Sequence, residues 1–260
     1  MTFFSNITTL TVGVSLTLLS SASMADTTVS SNARLSNLQF QLIDLNPFDN
    51  VTPTINFTGS VNESSSTVQD RPDQDAVTDA KHETTIDYVG TGVSTAHSGA
   101  FANSSLYNSI ATKGYLTQGG YFGANNTLFT NFTLSANTAF VLSGNISGNV
   151  YSISPASSIV ESRAFLTIYG NTLPDNGGQQ SASIDRAWNL DGNSGSFEHF
   201  SLAFANGNAN PLEGQLFAQT QSIGYLPTTA VPEPESWAMM LGGLAALGVV
   251  ARRRQRQKAQ

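Results

Sequence analysis

Apolar residues in the middle of this chain recur at every second position in short runs, not at helical spacing. Leu38, Phe40 and Leu42 alternate with Gln39, Gln41 and Ile43; Phe132 and Leu134 alternate with Asn131, Thr133 and Ser135. The same holds around Phe140, Leu142 and Ile146, along Ala164, Leu166 and Ile168, and along Phe200, Leu202 and Phe204. A period of two puts successive side chains on opposite faces of an extended backbone, so these are half-buried strands. The pattern predicts strands at 34–45, 53–60, 83–89, 112–117, 127–135, 138–146, 149–154, 161–169, 180–188, 197–206 and 213–222. Turn formers punctuate them: Gly119-Gly120, Asn125-Asn126, Ser143-Gly144-Asn145, Gly148-Asn149, Asn176-Gly177-Gly178, Gly192-Asn193 and Asn206-Gly207-Asn208. Asn and Gly accept the positive φ that tight hairpins need. The expected fold is an all-β antiparallel sandwich of jelly-roll or immunoglobulin-like type. No short repeat marks a β-helix, and the strands are too irregular for an outer-membrane barrel. Residues 143–150 read as a hairpin connection or a bulged strand. Residues 61–83 break the alternation, lack aromatics and concentrate acids, which predicts a mobile acidic loop.

Charge divides the chain. Of 260 residues only 11% are charged, and the formal balance is −7. Five of the eleven basic residues (Arg252, Arg253, Arg254, Arg256 and Lys258) lie in the last nine positions. Residues 26–231 hold six basic and sixteen acidic residues, a balance of −10. That sign argues against a nucleic-acid partner. There is no cysteine, hence no disulfide and no thiolate.

Both ends are apolar. Leu10 to Leu19 is an apolar run followed by Ser20-Ser21-Ala22-Ser23-Met24-Ala25. It is too short to span a bilayer and fits a secretory h-region. Ser23 and Ala25 satisfy the small-residue rule, so residues 1–25 are expected to be a signal peptide cut between Ala25 and Asp26. No Lys or Arg precedes the run. At the other end, Pro232-Glu233-Pro234 precedes an uncharged stretch from Trp237 to Ala251 that includes Leu241, Gly242, Gly243, Leu244, Leu247 and Val250. As a helix it would reach about 22 Å, short of the ~30 Å hydrocarbon core. Trp237 would sit at one interface, and Arg252, Arg253 and Arg254 would snorkel at the other and stay cytoplasmic.

This order of Pro-Glu-Pro, apolar helix with Gly-Gly, and Arg cluster resembles the PEP-CTERM sorting signal of Gram-negative bacteria. The resemblance covers Pro232 to Gln260. It implies recognition of Pro232-Glu233-Pro234 by an exosortase, Trp237 to Ala251 as a transient transmembrane anchor in the inner membrane, and Arg252 to Arg254 as a retention cluster. It implies export, tail removal, and deposition on the cell surface or in an exopolysaccharide or biofilm matrix. Signal peptidase and the export machinery would be further partners. Two blocks of the body, Leu35 to Gly59 (with Leu42 to Pro47 and Thr52 to Phe57) and Phe132 to Phe140, resemble a group of PEP-CTERM proteins without an assigned activity. The expected organisation is a signal peptide (1–25), a sandwich body (26–230) and a sorting signal (231–260).

The body offers no chemical motif. His82, His97 and His199 form no metal-spaced pair, and neither a Gly-x-Ser-x-Gly elbow nor a phosphate-binding glycine loop is present. Asp73, Asp75 and Asp79 fall at positions 1, 3 and 7 of a calcium-loop count. Thr78 stands where that loop needs glycine and Thr84 where it needs glutamate. A loose Ca²⁺ site there is the one cofactor the residues suggest. Tyr88, Tyr107, Tyr115, Tyr121, Tyr169 and Trp188 could stack on sugars if exposed. The reading is therefore a non-enzymatic surface protein. The alternatives are a carbohydrate-binding module and, further off, a secreted glycan hydrolase whose two carboxylates only a fold could reveal.

Overall fold

A computed structural model describes residues 28–71, 74–153, 157–171, 179–192 and 194–227. Twelve strands run in order: β1 (Val29–Asp44), β2 (Ile55–Gln69), β3 (Val77–Glu83), β4 (Val89–Ser94), β5 (Ser98–Ser104), β6 (Ser109–Leu116), β7 (Gly120–Leu134), β8 (Thr138–Ser152), β9 (Ile159–Asn171), β10 (Gln179–Asn189), β11 (Gly195–Asn206) and β12 (Leu212–Leu226). They form two six-stranded antiparallel sheets. The β1 sheet is ordered β11-β8-β1-β6-β5-β4 and the β7 sheet β10-β9-β12-β7-β2-β3. The sheets pack face to face as the alternation predicts, with no helix among the described residues.

Strict alternation builds the core. Along β7 every second residue from Gly120 to Leu134 is buried and the ones between are half-exposed. One end of the core is aromatic: Phe132 meets Phe140 and Phe204 edge-on at 5.4 and 5.5 Å, and Phe40 meets Phe57 at 5.2 Å. Such edge-to-face pairs add to the burial term. Toward the opposite end the interior turns polar. Asn126 Nδ2 donates to Ser64 Oγ at 3.0 Å, Ser66 and Thr91 share a hydroxyl bond of 2.9 Å, and Ser104 Oγ donates to Asn62 Oδ1.

Two bulges shift the pattern. In β1, Asn37 and Leu38 together oppose Gly144 of β8, with Asn37 at φ 53°. In β2, Gly59 and Ser60 together oppose Thr130 of β7, with Gly59 at φ 58°. A left-handed first residue in a two-against-one bulge bends the strand and reverses which parity faces inward. Val29, Ala33 and Leu35 point inward before the first bulge, and Leu38 with the half-buried Phe40 and Leu42 after it.

Several expectations need correction. The acidic loop expected at 61–83 is a hairpin of β2 and β3, Asn62 pairing with Glu83 and Val68 with Val77. Its inward row is Asn62, Ser64, Ser66 and Val68, all buried, so polar side chains occupy positions where an apolar signal was sought. Apart from Glu63 on the outward row of β2, the acids fall after Gln69 and along β3, the edge of its sheet, where charge opposes strand addition. The strand expected at 83–89 is mostly the turn between β3 and β4. β8 is continuous through 143–150, and the bulge lies on its partner β1.

Both open edges are clasped. Arg186 of β10 holds Glu198 of β11 with bonds of 3.0 Å from Nε and 2.7 Å from Nη2. Trp188, buried over Gly148, donates its indole N–H to Ser196 Oγ at 2.9 Å. At the other edge the N–H of Gly92 in β4 donates to Asp79 Oδ2 of β3 at 3.2 Å. Asp70 accepts hydroxyls from Thr95 and Ser98, both at 2.6 Å.

Candidate functional site

The sorting-motif residues Pro232, Glu233 and Pro234, the anchor from Trp237 to Ala251, the cluster Arg252 to Arg254 and the signal cleavage pair Ala25 and Asp26 lie outside the described residues. Where the body meets them is clear. Val29 pairs with Leu116 and Ser152, and Leu226 pairs with Gly120, so the first and last strand residues emerge at one pole of the sandwich. The opposite pole carries the links after Asp44, Leu134 and Asn206. The links after Asp44 and Leu134 fall in the two blocks noted above, and these touch: Thr54 N–H donates to Ser135 Oγ at 2.8 Å, and Asn137 Nδ2 to Asp49 Oδ2 at 2.7 Å.

Of the calcium candidates, Asp73 lies outside the described residues, Asp75 is exposed, and Asp79 is engaged with the Gly92 N–H. Among the described residues no three His, Asp or Glu side chains converge. His82 bonds Glu63 across the β2–β3 hairpin at 2.9 Å, and His199 packs edge-on against Phe197 at 5.2 Å. Trp188, a candidate for exposed stacking, is only 1% exposed and is a wedge between sheet edges.

Four exposed aromatics, Tyr88, Tyr115, Tyr151 and Phe197, share the outer face of the β1 sheet, while Phe48, Tyr107 and Tyr225 stand elsewhere. Tyr115 of β6 lies over Gly99 of β5, where a Cβ would stand 2.5 Å from the ring. Phe101 of β5 lies over Gly92 of β4, where the corresponding distance is 2.7 Å. Tyr88, just ahead of β4, covers Gly90 in the same way. Each glycine leaves out the side chain that would push its ring upright. The three rings thus lie on glycines of β4 and β5, with Tyr88 and Tyr115 exposed and Phe101 half-exposed beneath Lys113. Tyr88 is 69% exposed, and Tyr151 and Phe197 stand exposed farther across the sheet. Beside Phe101 and Tyr115 runs a groove of about 540 Å³ lined also by Asn32, Arg34, Asn103 and Lys113. Lys113 Nζ sits 5.0 Å from the Phe101 ring centre, within cation–π range. Sequence reasoning found Tyr88 and Tyr115 but missed Phe101, Arg34 and Lys113. Only strand pairing brings them together, and the one local signal is the two-residue step from Tyr88 to Gly90.

The outer face of the β7 sheet differs. Phe165 and Phe217 pack on each other at 5.1 Å, and amide ladders run from Gln215 to Asn131 and from Gln219 to Asn125, each at 3.0 Å. Arg163 is tied to Asp185, whose carboxyl is held below its usual range by the guanidinium hydrogen bond. Tyr169 lines a groove of about 510 Å³ there, with Glu213 its sole carboxylate.

Comparison with known proteins decides the tail. Residues 230–255 match the family model of the PEP-CTERM protein-sorting motif. The chain carries a PEP-CTERM sorting motif. It thereby bears a signal for export, for recognition by an exosortase at the membrane and for targeting to the cell surface. No curated protein matches the chain. Among solved structures, one titled "Structural basis for the promiscuous specificity of the carbohydrate-binding modules from the beta-sandwich super family" aligns over 75% of this chain and 97% of its own. The identity is 9% and the TM-score 0.14, a level at which nothing about this PEP-CTERM protein follows.

Proposed function

We propose that this PEP-CTERM protein is a non-catalytic surface or extracellular-matrix protein, exported, anchored briefly by its tail and trimmed by an exosortase. Signal peptidase would cut between Ala25 and Asp26. Pro232-Glu233-Pro234 would be the recognition element, Trp237 to Ala251 the transient anchor, and Arg252 to Arg254 the cytoplasmic stop. The matched motif at residues 230–255 carries this reading. The fold is compatible with it: the last core strand ends at Leu226, so a cut near Pro232 removes no strand. Mass spectrometry of the surface fraction tests it. The mature chain should begin at Asp26 and end at or near Pro232–Pro234, and cells lacking exosortase should retain Gln260. An intact Gln260 on wild-type cells would sink the processing claim.

A second reading, association with exopolysaccharide through a carbohydrate-binding surface, is favoured by one observation. Tyr88, Tyr115 and Tyr151 stand exposed on the outer face of a single sheet. Stacking against the apolar face of a pyranose, with amides beside it for the hydroxyls, is the chemistry such a surface offers.

A further inference from the structure

We infer that the groove on the outer face of the β1 sheet binds an acidic polysaccharide, one whose pyranose rings carry carboxylates. The inference rests on the reading that the body meets glycan outside the cell, and it adds the class of sugar and the place where it lies.

Charge placement carries it. The body has six basic residues against sixteen acids. Arg163 is committed to Asp185 and Arg186 to Glu198. Arg34 and Lys113 are both exposed, and among the described residues neither meets a carboxylate. They are also neighbours. Arg34 pairs with Ala111 and Asn32 with Lys113, so the two cations lie diagonally across adjacent strands, roughly 7–8 Å apart at their Cβ atoms.

The rest of the face lets that charge act. Its outward rows, read through the pairing registers, run Asn103-Ala111-Arg34-Ser147-Phe197 and Phe101-Lys113-Asn32-Asn149-Gly195. The next rows are Gly99-Tyr115-Ser30-Tyr151 and Ser109-Ser36-Asn145-His199. None of these positions is acidic. The opposite outer face carries Glu63, Glu161, Asp185 and Glu213. A chain of strongly negative balance thus keeps one face free of carboxylates, and that face holds two of the body's cations that meet no carboxylate among the described residues, beside its rings. A neutral glycan would use the rings and the amides of Asn32 and Asn103 but leave the cations idle. A nucleic-acid strand would also use rings and cations, and the body's balance of −10 opposes either polyanion alike; the exported setting that the sorting motif implies favours glycan, and the competition below separates the two. A polyuronate uses all three: ring faces on Tyr115 and Phe101, hydroxyls on the asparagines, carboxylates on Arg34 and Lys113.

Affinity electrophoresis of the full chain in neutral detergent tests this. Every arm carries R252Q, R253Q, R254Q, R256Q and K258Q so that the tail's charge does not contribute. Gels contain polygalacturonate, neutral dextran or no polymer. The expected result is retardation by polygalacturonate alone, weakened by salt. R34Q/K113Q should lower the affinity about tenfold, as should Y115A. Y225A, on the other sheet, should change nothing. Arg34 and Lys113 are exposed, so the double variant should keep the wild-type near-ultraviolet dichroism and melting curve. It therefore remains decisive if Y115A unfolds. Equal retardation by dextran, undiminished binding by folded R34Q/K113Q, or displacement of polygalacturonate by oligodeoxythymidylate at equal charge would each overturn the inference. None of these outcomes touches tail processing, which mass spectrometry reads separately.

Discussion

Asn206 shows how much one side chain settles in this protein. It ends β11, is fully buried, and donates from Nδ2 to the carbonyls of Ser135 at 2.9 Å and Asn210 at 2.8 Å. Its Oδ1 accepts the Asn208 N–H at 3.0 Å. Two links at the pole opposite the first and last strand residues, those after Leu134 and Asn206, are therefore tied through one amide, and an alanine there would leave several buried backbone groups without partners. N206A is expected to lower unfolding free energy by about 2–3 kcal/mol in urea titration, with the strands otherwise retained. The reverse case lies deeper. Thr220 of β12 is fully buried and its hydroxyl has no hydrogen-bond partner, like Ser31 Oγ and Ser162 Oγ. T220V keeps the shape and removes the unpaired oxygen, so it should raise stability by about 1 kcal/mol in the same titration. A loss of stability would show that the hydroxyl is satisfied in solution.

At the scale of elements, the edge strands carry charge that the core excludes. The guanidinium of Arg186 bonds Glu198 and holds its carboxyl below the usual range, and Arg163 does the same to Asp185. A depressed carboxylate adds stability that is complete above the unfolded group's ordinary pKa. That stability is lost as pH falls through the lower folded value. Wild type should therefore melt above E198Q at neutral pH, and the gap should close on acidification below the carboxylate range. A gap independent of pH would assign the effect to packing. These edges also show what could be read from the sequence. Asn125-Asn126, expected to turn, lies inside β7, whereas β9 and the second half of β7 declare themselves because their inward residues are mostly apolar at period two. β2 past its bulge does not, because parity reverses at Gly59 and the next inward residues are Asn62, Ser64 and Ser66. β4 and β5 are hidden for another reason. Gly90, Gly92 and Gly99 carry no pattern of their own and make sense only beneath Tyr88, Phe101 and Tyr115. The sorting signal was legible because its parts are contiguous. The ring-and-cation groove was not, because β1, β5 and β6 supply it from positions as far apart as Asn32 and Tyr115.

Taken whole, the molecule is a slab whose longest strands run fifteen or sixteen residues, roughly 50 Å from pole to pole. Both chain ends leave from one pole, so a tail held in a membrane would keep that pole near the lipid. The loop carrying Phe48, which is 91% exposed, would then face away. The ring-and-cation groove opens sideways on the outer face of the β1 sheet, not at a pole. Strand order adds a constraint on timing. β12 is the final strand in sequence, yet it lies between β9 and β7 in the interior of its sheet. A chain synthesised from its N-terminus therefore holds two part-sheets with raw edges, β10-β9 and β7-β2-β3, until residues 212–226 arrive to join them. The keystone is the segment directly ahead of the sorting motif. The body can therefore become one cooperative unit only once that last segment is in place, immediately before the residues that match the sorting motif.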